Sequence, residues 1–468
     1  MGIARMLGSY VYNASYDDLP QDVVDCTKDR ILDFVGTAFN QYWRYPATPV
    51  IKVLKAYGGK EEATVIGEGI KLPCGFAAMV NSYYDISDGS RFAGGHPACI
   101  TIPAALTVAE TRCSTKAVSG KELILAIVLA YEVSLRIGQA MYPSVHKRGF
   151  QPTTVRGPMG VAAATSKILG LDEESTISAI SIAALMGGGL QAAGLASTPL
   201  MSFQIGRFAE DGILSALVAQ AGLRTTEPMF KGSDEILEEG FFRAFSDEYN
   251  LDEIGKDLGR SYAIAKTYLK IHHCCRHMHA PIDAALYIKN KYNINWEEIE
   301  RIKVKTYTTA LSVCHFDNPK TRKQSKYSIP FGIAIALING DAQEDRFTDD
   351  ALMSEPIQQL LKKTTVECDP DIDREFPEKW GTMVEIATKA GKMFSRTLDF
   401  PKGEPEDPLS KSEIVNKFNH MSSKVLNAKR RRQIIDFIDN LESIENVAAF
   451  FPLLEATTKV GSAGFAVK

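Results

Sequence analysis

A chain of 468 residues, 45% hydrophobic and 24% charged, has the composition of a soluble globular protein and is long enough for two or three domains. Its formal net charge of -4 leaves no basic excess to neutralise phosphates, so neither nucleic acid nor an anionic membrane is expected as a partner. The eight cysteines are scattered with no CxxC spacing, the N-terminal stretch lacks an apolar export signal, and no run reaches about 18 apolar residues, so reduced thiols and a cytoplasmic setting are expected.

Helical periodicity begins at Leu19, where Pro20 suits a first turn and Val23, Val24, Ile31, Leu32, Phe34 and Val35 recur at three- and four-residue spacing. Amphipathic stretches follow at about 48–57, 74–84 and 100–112. The run Leu123–Tyr131 is apolar all round and reads as a buried helix. Helices are also predicted over Gly157–Leu169, Glu173–Leu185 and Ile205–Leu223, and almost no strand signal precedes residue 260. Beyond it, Arg301–Thr309 and Thr382–Thr388 alternate and are rich in β-branched residues, which predicts strands, with helices over Ser328–Leu337 and Asp349–Lys363. Pro401–Pro408 reads as a linker, and the last sixty residues are helical again. The fold class is therefore mainly α: residues 1–262 and 404–468 form a large helical domain from both chain ends, and 263–403 form a smaller α+β domain.

Three polar loops carry the chemistry. Asp85–Pro97 brings carboxylates, Arg91 and His96 together among Gly89, Gly94 and Gly95, which let the backbone turn back on itself. His146–Thr154 is a basic loop ahead of an alanine-rich helix. Lys270–Asp283 holds four of the eight histidines. Its contiguous His272, His273, Cys274 and Cys275 lack the spacing of a metal site, and no metal is expected. Two readings remain for it: a turn and helix start with partly buried histidines, or an anion site in which Lys270, Arg276, His277 and His279 bind carboxylates.

In this order, the DxxD…HP loop, the GF-x-PT loop and the K-x-x-x-C-C-R-x-x-H-A-x-I-D motif from Lys270 to Asp283 resemble the MmgE/PrpD family. That family includes 2-methylcitrate dehydratase, cis-aconitate decarboxylase and iminodisuccinate epimerase. The resemblance implies a helical domain, a smaller α+β lid, a homodimer and a site that needs no cofactor. It implies catalytic roles for Asp85, His96 and Lys270; the substrate-binding candidates beside them are Arg91 from the first loop, Arg276, His277 and His279 from the anion-site reading, and Gln151 and Tyr327 at or beside positions that depart from the family pattern. Four positions depart from the family pattern. Gly89 stands where a threonine is usual, Gln151 where GFHPT has histidine, and Met201 where a lysine is expected. Phe331 replaces a lid tyrosine, with Tyr327 one turn earlier.

The expected function is a lyase, of dehydratase or decarboxylase type, acting on a small di- or tricarboxylic acid by proton transfer beside a carboxylate. Two alternatives stand beside it: a two-base epimerase of a dicarboxylate, and a carboxylate-binding member without catalysis.

Overall fold

The computed structural model describes residues 2–83, 88–195, 199–225 and 240–458. The chain divides into two compact units, one of residues 1–267 with 410–468 and one of residues 268–409. Both breaks fall a few residues later than the sequence suggests. The hydrogen bonds explain this, because Leu269 N–H donates to the Gly403 carbonyl and Lys402 N–H donates to Asp283, which holds both edges within the second unit. Pro401–Pro408 is accordingly not a loose linker, and Glu404 in its middle is fully buried.

The first unit is helical. Pro20 precedes the helix Gln21–Arg44, and Glu173–Leu185 and Thr48–Tyr57 match their predicted spans. Gly120–Met141 is longer than the apolar run that announced it, since Ser119 and Glu122 form a reciprocal cap that starts it earlier. This helix is long and apolar enough to cross a membrane, but almost all of it is buried inside the unit, which makes it a core helix. It lies close against Pro152–Leu169. A Cβ on Gly160 would sit 2.5 Å from the Ala130 carbonyl oxygen, so only glycine permits that approach. The C-terminal helix Lys411–Ser422 packs on Gln21–Arg44 and is tied there by a buried Lys417–Asp33 ion pair at 2.6 Å. A short hairpin, Ala63–Val65 with Ile70–Leu72, was not legible because three residues per strand carry too little alternation.

The second unit is a four-stranded sheet in the order Thr364–Cys368, Ile299–Thr306, Thr382–Thr388, Met393–Leu398. The first pair is parallel and the other two are antiparallel. Ile302, Val304, Val384 and Ile386 are buried together with the helices His279–Tyr292, Ile329–Asn339 and Glu355–Lys363 in one apolar core. The predicted helix over 349–363 is two helices, interrupted at Ser354 before Pro356.

Candidate active site

In the first unit the candidate groups are built around the turn that ends in His96. Gly94 and Gly95 have φ of 64° and 67°, the left-handed region. Added Cβ atoms there would meet the Tyr142 ring at 2.6 Å and the Thr153 hydroxyl at 2.4 Å. The turn is secured from below by Arg156, fully buried, whose Nη2 donates to the Gly94 carbonyl at 2.5 Å. Burial lowers the Arg156 pKa to about 10, which still leaves it a cation at neutral pH. His96 is half-buried, and its main-chain N–H donates to Thr153 Oγ1 at 2.8 Å. The His96 Nδ1 lies 2.6 Å from the main-chain carbonyl oxygen of Asp88. A carbonyl can only accept, so in the neutral ring Nδ1 carries the proton and Nε2 carries the lone pair. Such an imidazole is a base at Nε2.

Asp88, which sequence reasoning passed over in favour of Asp85, is fully buried. One of its carboxylate oxygens accepts Ala98 N–H at 3.1 Å and the other accepts the Tyr131 hydroxyl at 2.9 Å. Burial raises its pKa to about 6 against the lowering effect of those two bonds. Asp85 lies outside the described residues. Arg91 is buried, with its guanidinium 5.2 Å from the centre of the Phe92 ring.

Gln151 was expected to bind substrate, but its side chain is engaged at both ends. Its Oε1 accepts Thr153 N–H at 2.7 Å, capping the helix Pro152–Leu169, and its Nε2 reaches Met201 Sδ at 3.4 Å. With 3% of its surface exposed, it serves as a buried helix cap.

In the second unit the Lys270–Asp283 segment runs through a short 3-10 turn, Arg276–Met278, into the helix His279–Tyr292. Arg276 was expected to bind carboxylates, and it does bind one, but that carboxylate is the protein's own. Its guanidinium pairs with Glu404 at 2.8 Å, both side chains being almost fully buried, and donates to the Lys402 carbonyl and to His279 Nδ1. This pair occupies its guanidinium within the unit. His279 is fully buried, and burial together with the adjacent Arg276 holds its pKa well below the usual histidine range. It is a neutral core residue rather than a cationic ligand.

His277 stacks on Trp380, with ring centres 4.5 Å apart, and its Nδ1 shares a hydrogen bond with the Tyr307 hydroxyl at 2.6 Å. Burial, then Arg276 and Lys270, push its pKa down to about 3. It is therefore neutral at physiological pH, where the sequence led to the expectation of a protonatable anion binder. Lys270 is partly exposed. Cys275, which the sequence reading did not assign to the site, has its pKa lowered, first by a hydrogen bond from Cys314 and also by Lys270. The adjacent Cys274 and Cys275 were the only signal for it. Tyr327 is half-buried, and burial raises its phenol pKa, with Cys275 and Cys314 adding to the effect. Phe331 is fully buried in the unit's core. Among the described residues no three His, Cys, Asp or Glu side chains are grouped to hold a metal ion.

Two family models cover the chain: the MmgE/PrpD N-terminal domain matches residues 5–254 and the MmgE/PrpD C-terminal domain matches residues 272–443. The chain belongs to the MmgE/PrpD family. Its curated relatives include a cis-aconitate decarboxylase of Aspergillus terreus, 25% identical over 98% of this chain and 97% of that protein. Another is the cis-aconitate decarboxylase of Homo sapiens, 24% identical over 97% of this chain and 94% of that protein. A cis-aconitate decarboxylase-like protein oryM of Aspergillus oryzae is 25% identical over 97% of both. Within this MmgE/PrpD chain, two of the four departures noted in the sequence, Gln151 and Met201, turn out to touch each other.

Proposed function

We propose that this MmgE/PrpD protein is a lyase that needs no cofactor and acts on a small di- or tricarboxylic acid, with decarboxylation of a cis-aconitate-like acid as the first reaction to test. The observation that carries the reading is the fixed tautomer of His96, which presents Nε2 as a base in a turn held by buried groups. The full-length similarity to cis-aconitate decarboxylases supports it. When a carboxylate leaves as CO2, its bonding electrons remain on carbon, and a proton must be delivered there. When water is eliminated, a proton must be taken from carbon. One imidazole that shuttles a proton at Nε2 serves both directions, and Lys270 would hold a substrate carboxylate as an ammonium partner. The family motif makes Asp85 the acidic catalytic candidate.

The neutral Gln151–Met201 contact favours a second reading, a two-base epimerase, since that reaction protonates no leaving group and requires fewer cations. Purified protein offered cis-aconitate and a panel of di- and tricarboxylates in deuterated water separates the readings. CO2 release or a change in C=C absorbance supports the lyase. Deuterium entering recovered substrate without net conversion supports the epimerase. Silence on both leaves a binding protein without catalysis.

We also infer a homodimer formed through an apolar face of the first unit. Phe203, Leu214 and Leu217 are exposed along one side of the helix Leu200–Gln220, and Leu190 and Leu200 are exposed beside them. Leu190, Leu200, Phe203 and Phe208 line a surface groove of about 470 Å³.

A further inference from the structure

We propose that Asp88, braced by Tyr131, is the positioning residue that keeps His96 in its basic-at-Nε2 form. The inference rests on His96 being the proton-transfer group.

Asp88 acts on His96 from both sides. Its main-chain carbonyl accepts the Nδ1 proton of the ring at 2.6 Å. Its carboxylate accepts Ala98 N–H, two residues beyond His96, at the first turn of the helix Ala98–Cys113. Residues 88 to 98 are thereby closed into one loop with the imidazole bonded across it. The Tyr131 hydroxyl, from the middle of the buried helix Gly120–Met141, anchors the other carboxylate oxygen at 2.9 Å and so ties the loop to a core helix of the unit.

The arrangement separates two tasks that a carboxylate beside a histidine usually combines. The partner described for Nδ1 is the Asp88 main-chain carbonyl, while the Asp88 carboxylate bonds elsewhere. The ring proton goes to a neutral carbonyl, which fixes the tautomer of the neutral imidazole. The charge of Asp88 is spent on the helix start, where N–H groups would otherwise lack acceptors. A base held in one tautomer loses no fraction of its population to the wrong ring form, so the effect falls on kcat rather than on substrate binding.

Long-range proton–nitrogen correlation spectra of 15N-histidine-labelled protein at pH 8 test this, with His96 identified by its loss in His96→Gln. The wild type and Asp88→Asn are expected to show His96 as the Nδ1–H tautomer, because an asparagine oxygen still accepts Ala98 N–H. Asp88→Ala and Tyr131→Phe are expected to relax toward a mixture. If the panel yields a substrate, Asp88→Ala should lower kcat about 10- to 100-fold with KM within about threefold, and Asp88→Asn should restore most of it. A wild-type His96 protonated at Nε2, or a tautomer unmoved in Asp88→Ala and Tyr131→Phe, overturns the proposal. Because the spectra need no substrate, silence on the acid panel sinks the lyase reading while the tautomer result stands by itself. If Asp88→Ala does not fold, Tyr131→Phe decides.

Discussion

The side-chain amide of Gln151 donates to the sulfur of Met201 at 3.4 Å, joining two positions fifty residues apart where the family pattern leads one to expect an imidazole and an ammonium group. The contact ends a neutral chain that starts at the catalytic candidate. His96 N–H donates to Thr153 Oγ1, Thr153 N–H donates to Gln151 Oε1, and Gln151 Nε2 donates to Met201 Sδ. A side of the turn that would carry two cations therefore carries none from these positions. A third substrate carboxylate placed there would lose its water without gaining a charged partner.

The double variant Gln151→His with Met201→Lys should therefore favour tricarboxylates. Its KM for a tricarboxylate is expected to fall roughly tenfold relative to a dicarboxylate, the size of one charge-assisted hydrogen bond. Met201→Lys alone should achieve less, since its ammonium would face an unaltered Gln151. Steady-state kinetics on matched acids check this, and an unchanged ratio of KM values rejects the idea that this contact sets substrate charge.

Asp88 makes a stability prediction with a definite sign. Its pKa rises from 3.8 to about 6 on folding, so the folded chain holds the proton more tightly than the unfolded chain. The stability this contributes is fully present below pH 3.8 and is lost as pH rises through about 6. Above that, the ionised group costs on the order of 3 kcal/mol. Arg30 and Asp33 from one helix, Tyr131 from a second and Arg156 from a third face the carboxyl and act against or with its ionisation. Asp88→Asn removes the charge and keeps the shape, so its melting temperature should exceed that of the wild type by a few degrees at pH 8. The gap should close near pH 4. Thermal unfolding at the two pH values measures it, and an Asn variant less stable than the wild type at pH 8 contradicts the assigned burial cost.

What could be read from the sequence was what local pattern decides. The strand Thr382–Thr388 and the helices Glu173–Leu185 and Thr48–Tyr57 have their predicted bounds because a period of two or of three to four residues recurs within each. The strand Met393–Leu398 was missed because it lies at the sheet edge, and its half-exposed residues give no apolar alternation. The turn at Gly94 and Gly95 was legible from glycine alone. The roles of individual polar residues were not, because their partners are distant in sequence. Arg276 finds Glu404 at a separation of 128 residues, and the Tyr131 hydroxyl finds Asp88 at 43. A motif shows which groups gather, but their remaining bonding capacity depends on contacts that no spacing encodes.

The Arg276–Glu404 pair predicts a stability defect with little effect on binding. Each side chain is almost fully buried, so removing one charge strands the other in a medium that solvates it poorly. Glu404→Gln and Arg276→Met should each destabilise the protein by about 3–5 kcal/mol. The double variant Arg276→Met with Glu404→Leu should recover much of the loss, since no charge is then left unpaired. Denaturant unfolding gives the energies. A KM that rises strongly in Arg276→Met at temperatures where it remains folded would return Arg276 to the substrate-binding set.

The last prediction concerns the apolar face of the first unit. Phe203, Leu214 and Leu217 are each more than 40% exposed and recur at helical spacing on one side of Leu200–Gln220. Exposed apolar surface is unfavourable by about 25 cal/mol per Å², which a second copy laid against it would recover, with the Arg207–Glu210 ion pair lying between Phe203 and Leu214 on that face. Phe203→Glu with Leu217→Glu places two carboxylates on that face, where each would face its symmetry mate across a two-fold contact. Sedimentation velocity should show the wild type at twice the chain mass and the double variant at the chain mass, with unchanged far-ultraviolet circular dichroism because neither residue supports the helix interior. A wild type that sediments as a single chain at micromolar concentration, or a variant that remains paired, removes this face as the dimer contact.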